Sequence, residues 1–101
     1  MIYRVEVSAT ALADLDSLAL WIARDNRASA ESLFERVACQ LEQLTRFPRT
    51  GARYEHRTRT QTEIRFAPVP GFPAILLYYD VSDETETITI RRLLDGRRDL
   101  R

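Results

Sequence analysis

The alternation of apolar and polar positions over residues 2–7 predicts a short β-strand at the start of the chain. The period then changes to that of a helix, and the hydroxyl of Ser8 can accept a free N–H of a first helical turn. Asp25 and Asn26 interrupt the helical pattern, so the helix is expected to run from about Ser8 to about Arg24. Its apolar stripe consists of Ala11, Leu12, Leu15, Leu18, Ala19 and Ile22.

A second helical pattern follows over about residues 29–45. Pro48 and Gly51 end it, because neither residue extends a helix comfortably. Two amphipathic helices joined by a short link form a helical hairpin. The apolar stripe of the second helix consists of Ala30, Leu33, Phe34, Val37, Ala38, Leu41 and Leu44.

The second half of the chain has the patterns of three strands, after a polar, arginine-rich loop over residues 52–61. Residues 63–66 alternate, residues 74–79 form a continuous apolar run, and residues 87–90 alternate with β-branched side chains, with a turn predicted at residues 82–84. The order β-α-α-β-β-β predicts one α+β domain over residues 1–101, with the helical hairpin on one face of a mainly antiparallel sheet. The other face stays uncovered, where a partner can bind.

Composition narrows the chemistry that the chain can support. With one cysteine, Cys39, and one histidine, His56, neither an internal disulfide nor a structural zinc site is expected, and the reduced thiol fits the cytoplasm. No apolar run reaches the length needed to cross a membrane. We expect no metal and no cofactor.

Charge is distributed unevenly along the chain, although the net charge is zero. Residues 1–44 hold four Arg against seven acids, and residues 45–101 hold eleven Arg against eight acids, so the halves carry −3 and +3. Every basic residue is arginine, which makes bidentate contacts with carboxylates and phosphates. Composition alone does not separate that role from genome base composition.

The order and spacing of these patterns resemble the RelE/ParE family of toxins over nearly the whole chain. Within the family, RelE-like members cut messenger RNA on the ribosome, ParE-like members poison DNA gyrase, and both pair with an antitoxin. The ending over residues 94–99 and Phe72-Pro73 are most similar to ParE. The motifs that carry the resemblance lie at residues 8–11, 14–15, 22, 25–26, 30, 44–51, 64–65, 72–73, 78–81 and 90–99.

The resemblance implies a gyrase-poisoning toxin without catalysis of its own, neutralised by a ParD-like antitoxin of the ribbon-helix-helix type with an acidic tail. DNA would be contacted only through the antitoxin or gyrase complex, and no membrane is involved. The target-binding residues would be the C-terminal arginines, because ParE-like toxins depend on that segment. Charge alone favours a solvated tail that pairs with its own aspartates and with the acidic first half of the chain. These arginines are Arg91, Arg92, Arg97, Arg98 and Arg101.

A RelE-like ribonuclease is the alternative. RNA cleavage needs groups that activate the 2′-OH, protonate the leaving oxygen and stabilise the phosphorane. Arg65 and Arg98 match basic positions of RelE, and His56 or Tyr79 would complete the set. However, Leu76 occupies the position of a phosphate-binding arginine, and the sequence ends before the tail tyrosine of RelE. A third hypothesis is a family member that binds antitoxin but is not toxic.

Four apolar or aromatic residues are candidates for antitoxin binding. Leu20 and Trp21 lie outside the stripe of the first helix, where Trp21 would anchor the antitoxin or a second subunit, or cover the second helix. Tyr78 and Tyr79 point to opposite faces of their strand, so that one joins the core and the other faces the partner. The sequence leaves open which of them does so.

Overall fold

The computed structural model describes residues 2–54 and 63–98. In this part of the chain the sheet has the strand order β1-β5-β4-β3-β2. β1 is parallel to β5 and the other neighbours are antiparallel, so the predicted α+β fold with a mainly antiparallel sheet is confirmed. The elements are β1 (Arg4–Val7), α1 (Ala9–Ala23), α2 (Arg27–Arg46), β2 (Ala52–Arg53), β3 (Glu63–Val69), β4 (Phe72–Ser82) and β5 (Thr87–Asp95).

The first helix begins where the sequence indicates, and α2 begins at Arg27, two residues before its predicted start. The Ser8 hydroxyl accepts the N–H of Ala11 at 3.1 Å, and the Asn26 side chain accepts the N–H of Ser29 at 3.0 Å. α1 packs on β5, α2 packs on β3, and the helices pack on each other, which places the core between hairpin and sheet. Neither helix is long and apolar enough to cross a membrane.

The apolar stripes are narrower than predicted. Leu12 is 51% exposed and Phe34 is 44% exposed, and Ala38 is exposed as well, although helical spacing placed all three on the inner faces. A stripe counted by i+3 and i+4 spacing is at least about 100° wide. The sheet and the neighbouring helix cover only its centre here, so residues at its margins meet solvent.

The strands β3, β4 and β5 are longer than the apolar patterns indicated, whereas β1 begins at Arg4 and not at residue 2. β5 continues through Arg91 and Arg92 to Asp95, so these arginines belong to the sheet and not to a tail. Part of the predicted loop at residues 52–61 is the short strand β2. The extension of β5 was not predicted because its polar residues do not follow a simple alternation. Their charges are instead paired within the fold.

Alternation along β4 separates the two tyrosines. Tyr79 is fully buried between the sheet and the helical hairpin. Tyr78 lies on the opposite face, where its ring stacks on Phe66 at 5.6 Å between centroids and meets Tyr54 edge-on at 5.9 Å. The sheet face without helices therefore carries an aromatic cluster of Tyr54, Phe66 and Tyr78.

Candidate functional site

The C-terminal arginine segment, residues 91–98 in the described structure, starts at an irregularity in the sheet. Tyr79 pairs with Ile90 while Tyr78 pairs with Arg92, so Arg91 is an additional residue of β5. The guanidinium of Arg91 contacts the carboxylate of Asp80 at 2.5 Å. This bulge places two arginines next to each other at the point where β5 passes beyond the end of β1.

Three arginines of this segment pair with aspartates in the same unequal way. In each pair the aspartate side chain is at most 16% exposed, while the arginine side chain is at least 47% exposed. A carboxylate that is buried or partly buried fixes the orientation of the guanidinium it pairs with. The exposed part of the guanidinium still faces solvent. The pairs are Arg91–Asp80, Arg92–Asp14 and Arg97–Asp95.

Asp95 organises the chain where it leaves the sheet. Its carboxylate accepts the backbone N–H of Arg97 at 2.8 Å, and its carbonyl accepts the N–H of Arg98 at 3.0 Å. The N–H of Gly96 donates to the carbonyl of Ala74 at 2.8 Å. Burial alone would raise the pKa of Asp95, but the hydrogen bonds from Arg97 outweigh it and hold that pKa below its usual value. Asp95 is therefore charged and fixes the direction of residues 96–98.

One face of α1 supports this segment. Asp14, Ser17 and Trp21 follow one another at helical spacing. The carboxylate of Asp14 accepts the N–H of Leu93 at 3.0 Å, and the hydroxyl of Ser17 accepts a guanidinium N–H of Arg98 at 3.0 Å. The same guanidinium lies 5.6 Å from the centre of the Trp21 ring, a cation–π contact. Trp21 thus contacts the C-terminal arginine segment.

A cleft of about 470 Å³ opens beside Trp21, at the end of the sheet. Apolar walls come from Trp21 and Phe72, and polar groups come from Asp25, Asp95 and Arg97. Leu20, next to Trp21 in sequence, is 72% exposed. Of the residues predicted to bind antitoxin, Trp21 therefore adjoins the predicted target-binding segment.

Two of the residues predicted for ribonuclease activity, Arg65 and Tyr79, have their polar groups engaged in hydrogen bonds within the fold. The guanidinium of Arg65 donates to the carbonyl of Gly51 at 2.7 Å and pairs with Glu63. The Tyr79 hydroxyl donates to the carbonyl of Pro48 and accepts the N–H of Gly51, both at 2.9 Å. Burial raises the pKa of Tyr79, which makes its phenol a weaker acid. Both side chains stabilise the turn that follows α2.

Two residues of the predicted ribonuclease site, Arg65 and Arg98, also lie apart. Arg65 is paired with Tyr79, whereas β5 leaves the sheet at Asp95, opposite Ile75. Four residues of strand separate these positions on β4, roughly 13 Å at about 3.3 Å per residue. Arg98, beyond Asp95, is therefore not brought to Arg65.

His56 and Arg101 lie outside the described residues. Tyr79 is corrected in both of its predicted roles: with no exposed surface and its hydroxyl engaged, it offers neither an acid–base group nor an antitoxin contact. Leu20, Trp21 and Tyr78 keep exposed or half-buried surface.

The Arg97–Asp95 pair is of the kind that charge alone favoured, whereas Asp80 and Asp14 were not identified from the sequence as partners of Arg91 and Arg92. Asp80 could have indicated such a pair from the sequence, because it follows directly on a long apolar run and a buried carboxylate is nearly always paired. Asp14 gave a weaker indication, since it lies beside the apolar stripe of its helix. Among residues 2–54 and 63–98, no group of three or more His, Cys, Asp or Glu side chains could hold a metal ion.

The fold of this chain is similar to that of a toxin in a solved toxin–antitoxin complex. The crystal structure of the toxin–antitoxin complex RelBE2 from Mycobacterium tuberculosis is similar, with a TM-score of 0.53 and 20% identity, over 92% of this chain and 96% of that chain. The sequence model of one family, the ParE toxin of type II toxin–antitoxin systems (parDE), matches residues 5–100. The chain belongs to this family of toxins, whose partners are antitoxins. No curated protein matches the sequence significantly.

Proposed function

We propose that this toxin binds DNA gyrase through its C-terminal arginine segment, together with Arg101, and holds the enzyme in its DNA-cleaved state. The toxin contributes no catalysis of its own and acts in the cytoplasm, where it arrests growth. The observation that carries the proposal is the pairing of exposed arginines along residues 91–97 with aspartates that are buried (Asp80 and Asp95) or partly buried (Asp14).

This pairing favours binding for an energetic reason. A free arginine side chain loses rotamer entropy when a partner immobilises it, which costs about 0.5–1.5 kcal/mol per side chain. Arg91, Arg92 and Arg97 each already pair with a carboxylate, so less entropy is lost on binding. The exposed part of each side chain can be contacted by carboxylates or phosphates of a partner.

The ribonuclease is the second candidate, and its support is the likeness in fold to the toxin–antitoxin complex RelBE2. Against it stand the internal roles of Arg65 and Tyr79, which leave the described residues without a convergent acid–base set. A family member that binds antitoxin without being toxic is the remaining alternative. Gyrase binding needs only an exposed surface with oriented side chains, and the C-terminal arginine segment has such a surface. Gyrase binding is therefore the favoured function.

The antitoxin in this proposal is ParD-like, with an acidic tail. Leu20 and Trp21 give it exposed apolar surface on α1, and Tyr78 gives it an aromatic contact on the uncovered sheet face. Because Trp21 contacts Arg98, an antitoxin bound at Trp21 also reaches the C-terminal arginine segment. Acidic side chains would then neutralise the arginines and block the target.

The test is a gyrase cleavage assay. Purified chain is incubated with gyrase, ATP and supercoiled plasmid, and the products are treated with detergent and protease. We expect linear DNA that accumulates only with the chain present and disappears when the antitoxin is added. A preparation that arrests growth without forming linear DNA, while messenger RNA is cut on ribosomes, would support the ribonuclease instead.

A further inference from the structure

We infer that the cleft beside Trp21 binds one cationic side chain, an arginine or a lysine, of the target protein. The inference deepens the proposed function, on which it rests for the identity of the target, gyrase. Its basis is the combination of apolar walls with the exposed carboxylate of Asp25, next to the C-terminal arginine segment. Whether the cleft takes a cation can be tested without gyrase.

The cleft lies where the turn between α1 and α2 meets the hairpin of β3 and β4. Trp21, Asp25 and Ser29 line it on the helical side, and Phe72 and Ile75 line it on the sheet side. Its volume of about 470 Å³ falls within the range of about 300–1,000 Å³ that is usual for sites of small ligands. The cleft therefore has room for one long side chain.

The charged groups that line the cleft leave one negative charge without compensation. Arg97 and Asp95 pair with each other at 3.3 Å, so their charges offset. Asp25 takes part in none of the ion pairs within the described part of the chain, although Arg24 and Arg27 lie beside it in sequence. A cation is therefore the charge that complements this cleft.

The two helix ends at the cleft act on a cation in opposite directions. α1 ends at Ala23, and the partial negative charge of its last carbonyls favours a cation. The last turn of α1 holds no basic residue that would use this charge. The start of α2 has the opposite polarity, but the side chain of Asn26 already accepts the N–H of Ser29 at 3.0 Å. The charge of Asp25 therefore determines the preference of the cleft.

The apolar walls select a cation with a long hydrocarbon stem. Arginine and lysine bury their methylene groups along apolar surface while the charged head stays at a polar edge. Trp21 and Phe72 offer aromatic surface to such a stem, and the carboxylate of Asp25 is exposed for the head group. A compact cation would leave the walls without contact, and an anion would be repelled by Asp25.

The cleft is continuous with the proposed target-binding surface. The guanidinium of Arg98 lies 5.6 Å from the centre of the Trp21 ring and donates to Ser17, one helical turn before Trp21. Asp25 lies one turn after Trp21, roughly 6 Å further at about 1.5 Å per residue. A matching partner surface places an acidic group at Arg98 and a basic side chain at Asp25. The acidic tail of the proposed antitoxin does not supply this cation, so the target is the better occupant.

Fluorescence tests the cleft directly, because Trp21 is the only tryptophan of the chain. The chain is titrated with N-acetylarginine amide, which has the stem and the cation of an arginine residue. A parallel titration uses N-acetylcitrulline amide, whose head group has nearly the same shape and no charge. We expect a saturable change of Trp21 fluorescence with the arginine probe, and at least about threefold weaker binding of the citrulline probe because the ion pair with Asp25 is lost.

Two variants locate the probe. Asp25→Asn should abolish the preference for the arginine probe over the citrulline probe. Asp16→Asn, the matched control, removes another exposed carboxylate of α1 and should keep that preference. Equal binding of the two probes by the natural chain, a preference that survives Asp25→Asn, or no saturable change with the arginine probe would each overturn the inference.

The gyrase cleavage assay then identifies the source of the side chain. At limiting concentrations of the chain, Asp25→Asn should form about threefold less linear DNA than the natural chain, while Asp16→Asn should form as much. An unchanged yield with Asp25→Asn would overturn the assignment to gyrase and leave the proposed function intact, and weaker antitoxin binding or lost self-association in that variant would assign the cleft to that partner instead. If the natural chain forms no linear DNA, the proposed function fails and takes the gyrase assignment with it, while the probe titrations still decide whether the cleft binds a cation.

Discussion

Two arginine-rich regions of this toxin use the same side chain in opposite ways. In the turn after α2, the side chain of Arg65 is 17% exposed and its donors meet Glu63 and the carbonyl of Gly51. In the C-terminal arginine segment, the arginine of the Arg97–Asp95 pair is 73% exposed and its aspartate only 2% exposed. The first arginine stabilises the fold from inside, and the second is held at the surface by a buried acid.

The difference shows that the number of arginines in a segment does not indicate its role. What matters is which partner of each ion pair is buried. A buried guanidinium has its donors satisfied within the fold, whereas a buried carboxylate leaves the guanidinium available to another molecule. Substitutions that change one region while leaving the other intact separate the two roles.

The largest effect is expected in the turn region, for Tyr79→Phe. This change leaves the buried N–H of Gly51 and the carbonyl of Pro48 without their partner. Because each unsatisfied buried group costs about 1–3 kcal/mol, the free energy of unfolding should fall by about 2–4 kcal/mol in a urea titration. Tyr78→Phe, on the uncovered face, is the control and should change it by less than about 0.5 kcal/mol. Equal effects would contradict the internal role of Tyr79.

Asp95→Asn should have a smaller effect on stability, in the C-terminal region. The amide keeps the shape of the side chain. It loses the negative charge that pairs with Arg97 and strengthens the hydrogen bonds from that residue. We expect a loss of about 2 kcal/mol at neutral pH, measured by the same titration. Because residues 96–98 would lose their direction, target binding should weaken also. A variant as stable as the natural chain would show that Asp95 does not organise this segment.

Acid should destabilise both regions. The pKa of Glu63 is lowered by its hydrogen bond with Arg65, and the pKa of Asp95 is lowered by Arg97 despite burial. Carboxyls whose pKa is lower in the folded state stabilise the fold at neutral pH, and this contribution is lost as the pH falls below about 4. Urea titrations from pH 7 to pH 3 should show declining stability, with a shallower decline in Asp95→Asn. A rise in stability on acidification would contradict these pKa directions.

The smallest effect on stability is expected for Arg98→Ala. Arg98 donates to the neutral hydroxyl of Ser17 and lies over the ring of Trp21, contacts that together contribute about 1 kcal/mol. Growth arrest by an expressed variant should nevertheless fall markedly, because the segment loses an oriented cation. A variant that loses several kcal/mol would show that Arg98 is structural, like Arg65.

Much of the fold could be predicted from the sequence, because it depends on local period. Ser8 and Asn26 cap the helices because their side chains accept N–H groups of their own first turns, which is a short-range property. The α+β arrangement follows from the order of the periodic segments. The strand ends could not be predicted, since Arg91 and Arg92 continue β5 only because Asp80 and Asp14 neutralise them.

The candidate site was harder to predict, because it depends on contacts between distant residues. Arg92 and Asp14 are far apart in sequence, and no local pattern indicates their pairing. The choice between Tyr78 and Tyr79 needed the side of the sheet on which the helices pack. Removing residues 91–101 would not test the site, because buried Leu93 would be lost with them. Point substitutions at the exposed arginines avoid this problem.

The most direct test of the central claim is gyrase cleavage by two double variants of equal charge. Arg97→Ala/Arg98→Ala changes the C-terminal arginine segment, and Arg24→Ala/Arg46→Ala removes two exposed arginines elsewhere. We predict that the first variant forms at least about tenfold less linear DNA than the natural chain, about 1.4 kcal/mol in binding, while the second keeps its activity. If both folded variants produced as much linear DNA as the natural chain, the C-terminal arginine segment would not be the gyrase-binding site.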